Sequence, residues 1–413
     1  GADIDIGFDD STLQPTLELV LRGATEESAR KFAAAVRKAV DGILAEGIPQ
    51  ELLLASLNSA EFASLERPGS LPDGVLDAIN ASTGWLHTGD PALLLHTDKL
   101  FASLREKMAG GWFDELLRQL FAPAPVQVVQ VPTLPQKDEA GEPIRTDGKL
   151  VLEHPLTAAD LGDGAKTAAG ERELLAGAQL LHHPSAGSLY LNFYYDLGHV
   201  KPEDMQYLDL LTDVLDELDS SAHTAQQLNT LRSTWLGDSR VQLDIWTGRQ
   251  EGAPCHAKLS LCLSLLERSL QKAVELGGEW LYDTRLTGPA AEAAFARVLS
   301  QQKLNMEQQF IQQGNAYAAT RASAHYSVDG AVSERCSGVS YYKFLCDLLA
   351  KADWAALGAR LDALRTEVLQ NAQLTVSLYG SEDALAKLRS LLPGSRFAAE
   401  GRREAVPYTE PLT

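Results

Sequence analysis

Residues 16–23 (TLELVLRG) alternate apolar and polar positions and stop at Gly23, the pattern of a half-buried strand. Thr25 followed by Glu26, Glu27 and Ser28 reads as a helix start, since acids there sit at the positive end of the helix dipole. From Ser28 to Ala45, the residues Phe32, Val36, Val40, Ile43 and Leu44 share one face, which predicts an amphipathic helix ending at Gly47. Pro49 opens a second helix through Leu65. Helices follow over 74–86 and 91–120, with breaks at Asp90-Pro91 and Gly110-Gly111. The run Val126–Val131 (VQVVQV) alternates like a strand and closes this first block.

From Pro132 to about Gly170 no period persists, and interspersed Pro, Gly and charged residues read as a connector. Strands are then expected at 188–195, 239–247 and 256–263. Helices are expected near 203–218, 222–235 and 264–276. A long Ala/Gln/Glu-rich helix runs over Pro289–Ala324, and its Gln-rich stretch (Gln301 to Gln313) reads as a polar face. A Gly-containing turn (Ser327–Gly330) follows. Helices at 339–351 and 354–369, a strand at 374–380 and a helix at 382–392 complete this block. The Pro-containing stretch 393–413 reads as a further connector. The chain thus divides into 1–131, a connector at 132–175, a module at 176–395 and a tail at 396–413. The expected class is α+β: two related modules, each an antiparallel or mixed sheet with helices on one face, the first incomplete.

At 413 residues the chain is long enough for two or three cores, and its 45% apolar and 22% charged content is that of a soluble globular protein. Its 36 basic against 56 acidic side chains give a net charge of −20. That balance argues against nucleic acid or an anionic membrane as partner and is compatible with cationic peptides. No apolar run is long enough to span a membrane, and GADIDIGFDD lacks the regions of a signal peptide. Four cysteines with no Cys-x-x-Cys pair point to a reducing compartment, the cytoplasm first and an organelle matrix second. The Gly1 start and the proline-bearing tail read as a piece of a longer chain.

A zincin site needs two His one helical turn apart and a Glu to activate water. None of the nine His is so placed, and His182-His183 before Pro184 read as exposed turn residues on opposite sides. Cys255, His256 and Cys262 read as strand residues with buried thiols. Gly-x-Ser-x-Gly and phosphate-binding glycine loops are missing. Ser340, ahead of Tyr341 and Tyr342, reads as a helix cap. Glu334 is placed either to pair with Arg335 or to accept hydrogen bonds from the turn around it. No catalytic and no metal-binding residue is expected in this chain.

The most informative stretch is 318–345, AATRASAHYSVDGAVSERCSGVSYYKFL. Its order of Arg321, Gly330, Ser333, Glu334, Gly338 and Ser340 resembles the middle of the presequence proteases, a branch of the insulinase-type zinc metallopeptidases. Asn58 to Phe62 (NSAEF) and Gly84–Leu95 (GWLHTGDPALLL) are similar to segments of the same family. The resemblance implies four α+β modules closing around unfolded peptides, with 1–131 the helical later half of one module and 176–395 the next. The defining His-x-x-Glu-His helix is missing here, as is the Arg/Tyr motif of the fourth module. The implied role is the non-catalytic centre of a zinc metalloendopeptidase, supplying chamber wall and contact between halves. Zinc belongs to the parent enzyme, and the partners are its remaining modules and peptide substrates. The alternative is an inactive homologue that binds peptides or acts as a scaffolding subunit. The six motif residues are expected to fix a turn between two helices.

Overall fold

The computed structural model describes residues 3–9, 16–22, 24–66, 73–95, 97–108, 110–129, 171–185, 189–247 and 254–408. The chain divides into two compact units, one of 1–49, 80–94 and 103–168, the other of 50–79, 95–102 and 169–413.

In the first unit, β1 (Asp3–Asp9) and β2 (Thr16–Arg22) form an antiparallel hairpin. Its register pairs Ile4 with Leu21, Ile6 with Leu19 and Phe8 with Leu17, so one face is wholly apolar. That face is open, with Ile6 71% and Phe8 64% exposed. Helix α1 (Glu26–Glu46) starts at Thr25, whose hydroxyl accepts the Ser28 N–H, as the sequence predicts. Further along the chain come α2 (Gln50–Glu66), α3 (Asp73–Thr88) and α4 (Thr97–Met108). Helix α5 (Trp112–Leu120) packs on α1, and Asp114 on it accepts the Ile48 N–H at 2.9 Å. The GWLHTGDP segment is the self-contained end of α3. Thr88 donates to the Gly84 carbonyl at 2.8 Å, and Asp90 accepts the Ala92 N–H at 2.8 Å. The strand expected over Val126–Val131 does not form across 124–129, where Val126 is 92% exposed and, among the described residues, no strand pairs with it; Gln130 and Val131 lie outside the described residues.

The second unit is built on a six-stranded mixed sheet. It comprises β3 (Glu171–Leu175), β4 (Ala178–Pro184), β5 (Leu189–Asp196), β6 (Asp238–Thr247), β7 (Cys255–Leu265) and β8 (Leu374–Gly380), in the order β3-β4-β8-β5-β7-β6. Only β4 and β8 run parallel. Its helices after β5 are α6 (Pro202–Val214), α7 (Ala225–Trp235), α8 (Leu270–Gly278), α9 (Pro289–Ser323), α10 (Val328–Ser337), α11 (Val339–Lys351), α12 (Trp354–Asn371) and α13 (Glu382–Leu391). Leu189, Leu191, Phe193 and Tyr195 of β5 and the odd positions of β7 from Ala257 to Leu265 point inward. They share one core with α6, α7, α8, α12 and α13. Period-2 burial on one face of the sheet is the reason the helices lie on that side. The fold is the expected mixed sheet with helices on one face.

Helix α2 joins this unit through the NSAEF residues. Asn58 donates to the Thr234 carbonyl on α7, Glu61 pairs with Arg268, and the buried Phe62 ring lies where a side chain on Gly237 would stand. The long helix α9 is not continuous. Gln313 leaves helical geometry (φ −131°, ψ 30°) next to Gly314, and Phe310, Tyr317 and Tyr342 form an aromatic cluster beside the break.

The connector and tail also differ from expectation. Most of 132–175 lies outside the described residues, but 171–175 is the edge strand β3, paired with β4. Residues 396–408 of the tail dock instead of leaving. Phe397 is fully buried, stacked on Phe193 at 3.8 Å; Ala399 donates to the Ala176 carbonyl, and Tyr408 donates to the Cys255 carbonyl at 2.7 Å. Alternation and period do not reveal this, because one buried ring in an irregular run has no pattern to read. Replacing Phe397 with Ala is expected to cost ~3–5 kcal/mol, read as a lowered urea midpoint at unchanged slope.

Candidate functional site

The motif residues meet at the junction of α9, α10 and α11. Residues 328–337, expected in part as a turn, are helical: Ser327 accepts the Gly330 N–H at 3.1 Å and caps α10. Val332 and Cys336, one turn apart, then face the core. Helix α11 starts at Gly338 without a side-chain cap of its own. Glu334, fully buried, supplies it from α10: its Oε1 accepts the Ser340 N–H and the Ser340 hydroxyl, each at 3.0 Å. Ser340 is therefore a donor within the first turn, not the cap. Arg321, from the end of α9, donates to the same oxygen at 3.0 Å and to Ser340 Oγ at 3.0 Å. Arg321, not Arg335, is thus the partner of Glu334. A buried carboxylate with a cation and a helix N-terminus beside it is a compensated charge.

Two glycines make room for this clasp. A Cβ on Gly338 would stand 2.0 Å from Glu334 Oε2, and one on Gly330 would stand 2.7 Å from Ser323 and Ser327 Oγ. Ser333 contributes only its carbonyl, which accepts the Ser337 hydroxyl at 3.0 Å. The clasp links the end of α9, α10 and the start of α11. Glu334→Ala and Gly338→Ala are each expected to cost ~1–3 kcal/mol. In the double variant the clash vanishes, so the combined loss falls short of the sum in a urea-denaturation cycle.

Behind the clasp, Asp209 and Asp213 stand one turn apart on α6 near Tyr341 and Cys336. Burial, and then Asp213, pushes the Asp209 carboxyl well above the usual carboxylate range. Burial also raises Asp213, against bonds from Gln302 and Tyr341. A carboxyl that titrates higher folded than unfolded favours the folded state at acid pH, and that benefit is lost as pH rises through its folded value. Asp209→Asn is expected to raise the melting temperature at pH 8 by ~2–4 °C, the effect of about 1 kcal/mol in a domain of this size. Near pH 4 calorimetry should find little change.

The outer face of the six-stranded sheet carries polar and aromatic side chains. Its register aligns His183, Tyr379, Tyr190, Ser264 and Asp238 in one row. Gln179, Thr375, Tyr194, Ser260 and Gln242 form another. Some of these side chains meet a neighbour on the same face, whereas the Ser260 hydroxyl is buried without a partner. His183 stacks on Tyr379 at 4.4 Å, Tyr194 meets Trp246 edge-on at 5.1 Å, and Gln242 donates to Asp244 at 2.7 Å. Tyr379 is 41% and Trp246 47% exposed. Burial, with Cys262 and Asp244 nearby, pushes the Tyr194 phenol up to about 12, so it stays a neutral hydrogen-bonding group. His182, expected in an exposed turn, is buried in β4 with Nε2 3.0 Å from the Gly380 carbonyl. Cys255 and Cys336 are buried free thiols. Among the described residues, no three His, Cys, Asp or Glu side chains gather as a metal site. The aromatic face was not legible from single strands, because it is assembled across four of them.

Residues 156–348 match the family model for the region associated with peptidase family M16, subfamily C. That match covers a little under half of the chain, and the similarity to curated proteins extends over most of it. The clasp lies inside the matched region, as do β3 to β7. The chain is 24% identical to presequence protease 1, chloroplastic/mitochondrial, of Arabidopsis thaliana, over 94% of this chain and 40% of that protein. It is 20% identical to protein HypA of Clostridium perfringens, over 93% of this chain and 43% of that protein. It therefore spans about two fifths of the length of these curated relatives. A solved structure of a conserved protein from Enterococcus faecalis V583 superposes with a TM-score of 0.44 at 16% identity, covering 60% of this chain and 56% of the other.

Proposed function

We propose that the chain is a non-catalytic part of a larger zinc metalloendopeptidase, and that the outer sheet face is wall against which unfolded peptides lie. The observation that carries this reading is the one-sided sheet, whose second face presents a half-exposed set of aromatic and hydrogen-bonding side chains. Tyr and Trp suit such a surface, since each offers a large rigid apolar area with a polar handle. The net charge of −20 favours basic peptides. The apolar face of the β1–β2 hairpin supports the second role, contact with the remaining modules. A two-stranded hairpin is marginal alone in water, and three or more strands or a packed helix stabilise one. Zinc and the hydrolytic water would be supplied by those other modules.

The test uses the purified 413-residue chain. A fluorescein-labelled, unstructured basic peptide is expected to bind with micromolar affinity and to stay uncut, while metal analysis finds far less than one zinc per chain. Trp246→Ala is expected to weaken binding about tenfold, the scale of an interface hot spot. Cleavage of the peptide, or zinc near one per chain, overturns the reading.

A further inference from the structure

The two edges of the six-stranded sheet are built differently. One edge, β3, has five residues and begins Glu171, Arg172, Glu173, the short charged strand with which proteins blunt an edge. The other edge, β6, is ten residues long, contains no proline, and pairs with β7 without a bulge from Asp238 to Thr247. In an antiparallel ladder every second residue turns its N–H and C=O away from the partner. Among the described residues nothing pairs with that outer side of β6. Val241, Leu243 and Ile245 anchor the strand to the core, so the edge is held rigid.

We infer that the free edge of β6 takes an extended basic peptide as a seventh strand. The inference rests on the peptide-contact reading above and names where and how the main chain is held. Main-chain bonds along β6 would supply sequence-independent affinity, and alternate side chains would meet the sheet face at Trp246 and Tyr194. Charge decides between occupants. Two copies of this chain, each at −20, repel, whereas a Lys- or Arg-bearing strand is attracted and finds on β6 two aspartates, Asp238 and Asp244, against one cation, Arg240, which lies 3.9 Å from Asp238.

The probe is a labelled twelve-residue peptide alternating Lys with Thr or Val, prepared unmodified and with N-methyl groups on either its odd or its even amides. One methylated form removes the donors that would face β6; the other removes those facing solvent. The expected result is at least tenfold weaker binding for one form only, with slowed hydrogen exchange at alternate β6 amides. Asp238→Lys with Asp244→Lys is expected to weaken the unmodified peptide several-fold. Equal binding of both methylated forms overturns the edge site and leaves side-chain contact with the sheet face standing. No binding of any form overturns the peptide-contact reading as well. A dimer that forms through β6 in sedimentation, and that the peptide fails to displace, overturns the choice of occupant.

Discussion

One-sided burial of the central sheet is the constraint from which the second unit follows. The inward positions of β4, β5, β7 and β8 are almost entirely leucine, valine, alanine and phenylalanine, and they must be covered. Helices α6, α7, α8, α12 and α13 cover them, and Phe397 reaches in from the irregular segment after α13 to complete the layer at Phe193. With helical cover on one side, the other face is left to polar and aromatic side chains such as Tyr194, Trp246, His183 and Tyr379. The candidate surface is thus a by-product of the way the core closes.

Helices α9, α10 and α11 enter the same core through Phe295, Leu299, Val332 and Leu345, and a buried charge cluster joins their ends. Glu334 is fully buried, and its charge is tolerated because Arg321 and the start of α11 share the same oxygen. Such a group does not stabilise cheaply, since each ion gives up water to enter. It specifies an arrangement: α11 cannot begin elsewhere without orphaning the carboxylate, and no residue larger than glycine fits at position 338. The motif that resembles the presequence proteases joins three helices through Arg321, Glu334 and Ser340. It orders the helices behind the sheet, while the polar-aromatic face lies on the sheet's opposite side.

Much of this architecture was legible in local pattern. Strands β2, β5, β6, β7 and β8 and most helices lie within a few residues of their expected bounds, because period 2 and period 3.6 are strong where one face is buried. The misses have distinct causes. Strand β4 carries His182 and His183 before a proline and so resembles a turn, yet its neighbours in the sheet bury His182. Residues 126–129 have strand chemistry, but among the described residues no strand pairs with them. Helix α10 is short and rich in Ser and Gly, and it depends on the Ser327 cap and on packing against its neighbours.

By itself the sequence determined the α+β class, the missing zinc helix, the acidic charge and the elements whose apolar positions repeat at a fixed period. These are properties of composition and of residues near one another in the chain. Only the tertiary structure decided that Arg321 and not Arg335 neutralises Glu334, that Phe397 closes the core, and that Tyr194, Trp246, His183 and Tyr379 share one surface. Each of these joins residues from different elements. Strand order and register bring them together, and the order β3-β4-β8-β5-β7-β6 places neighbours in space that are far apart in the chain.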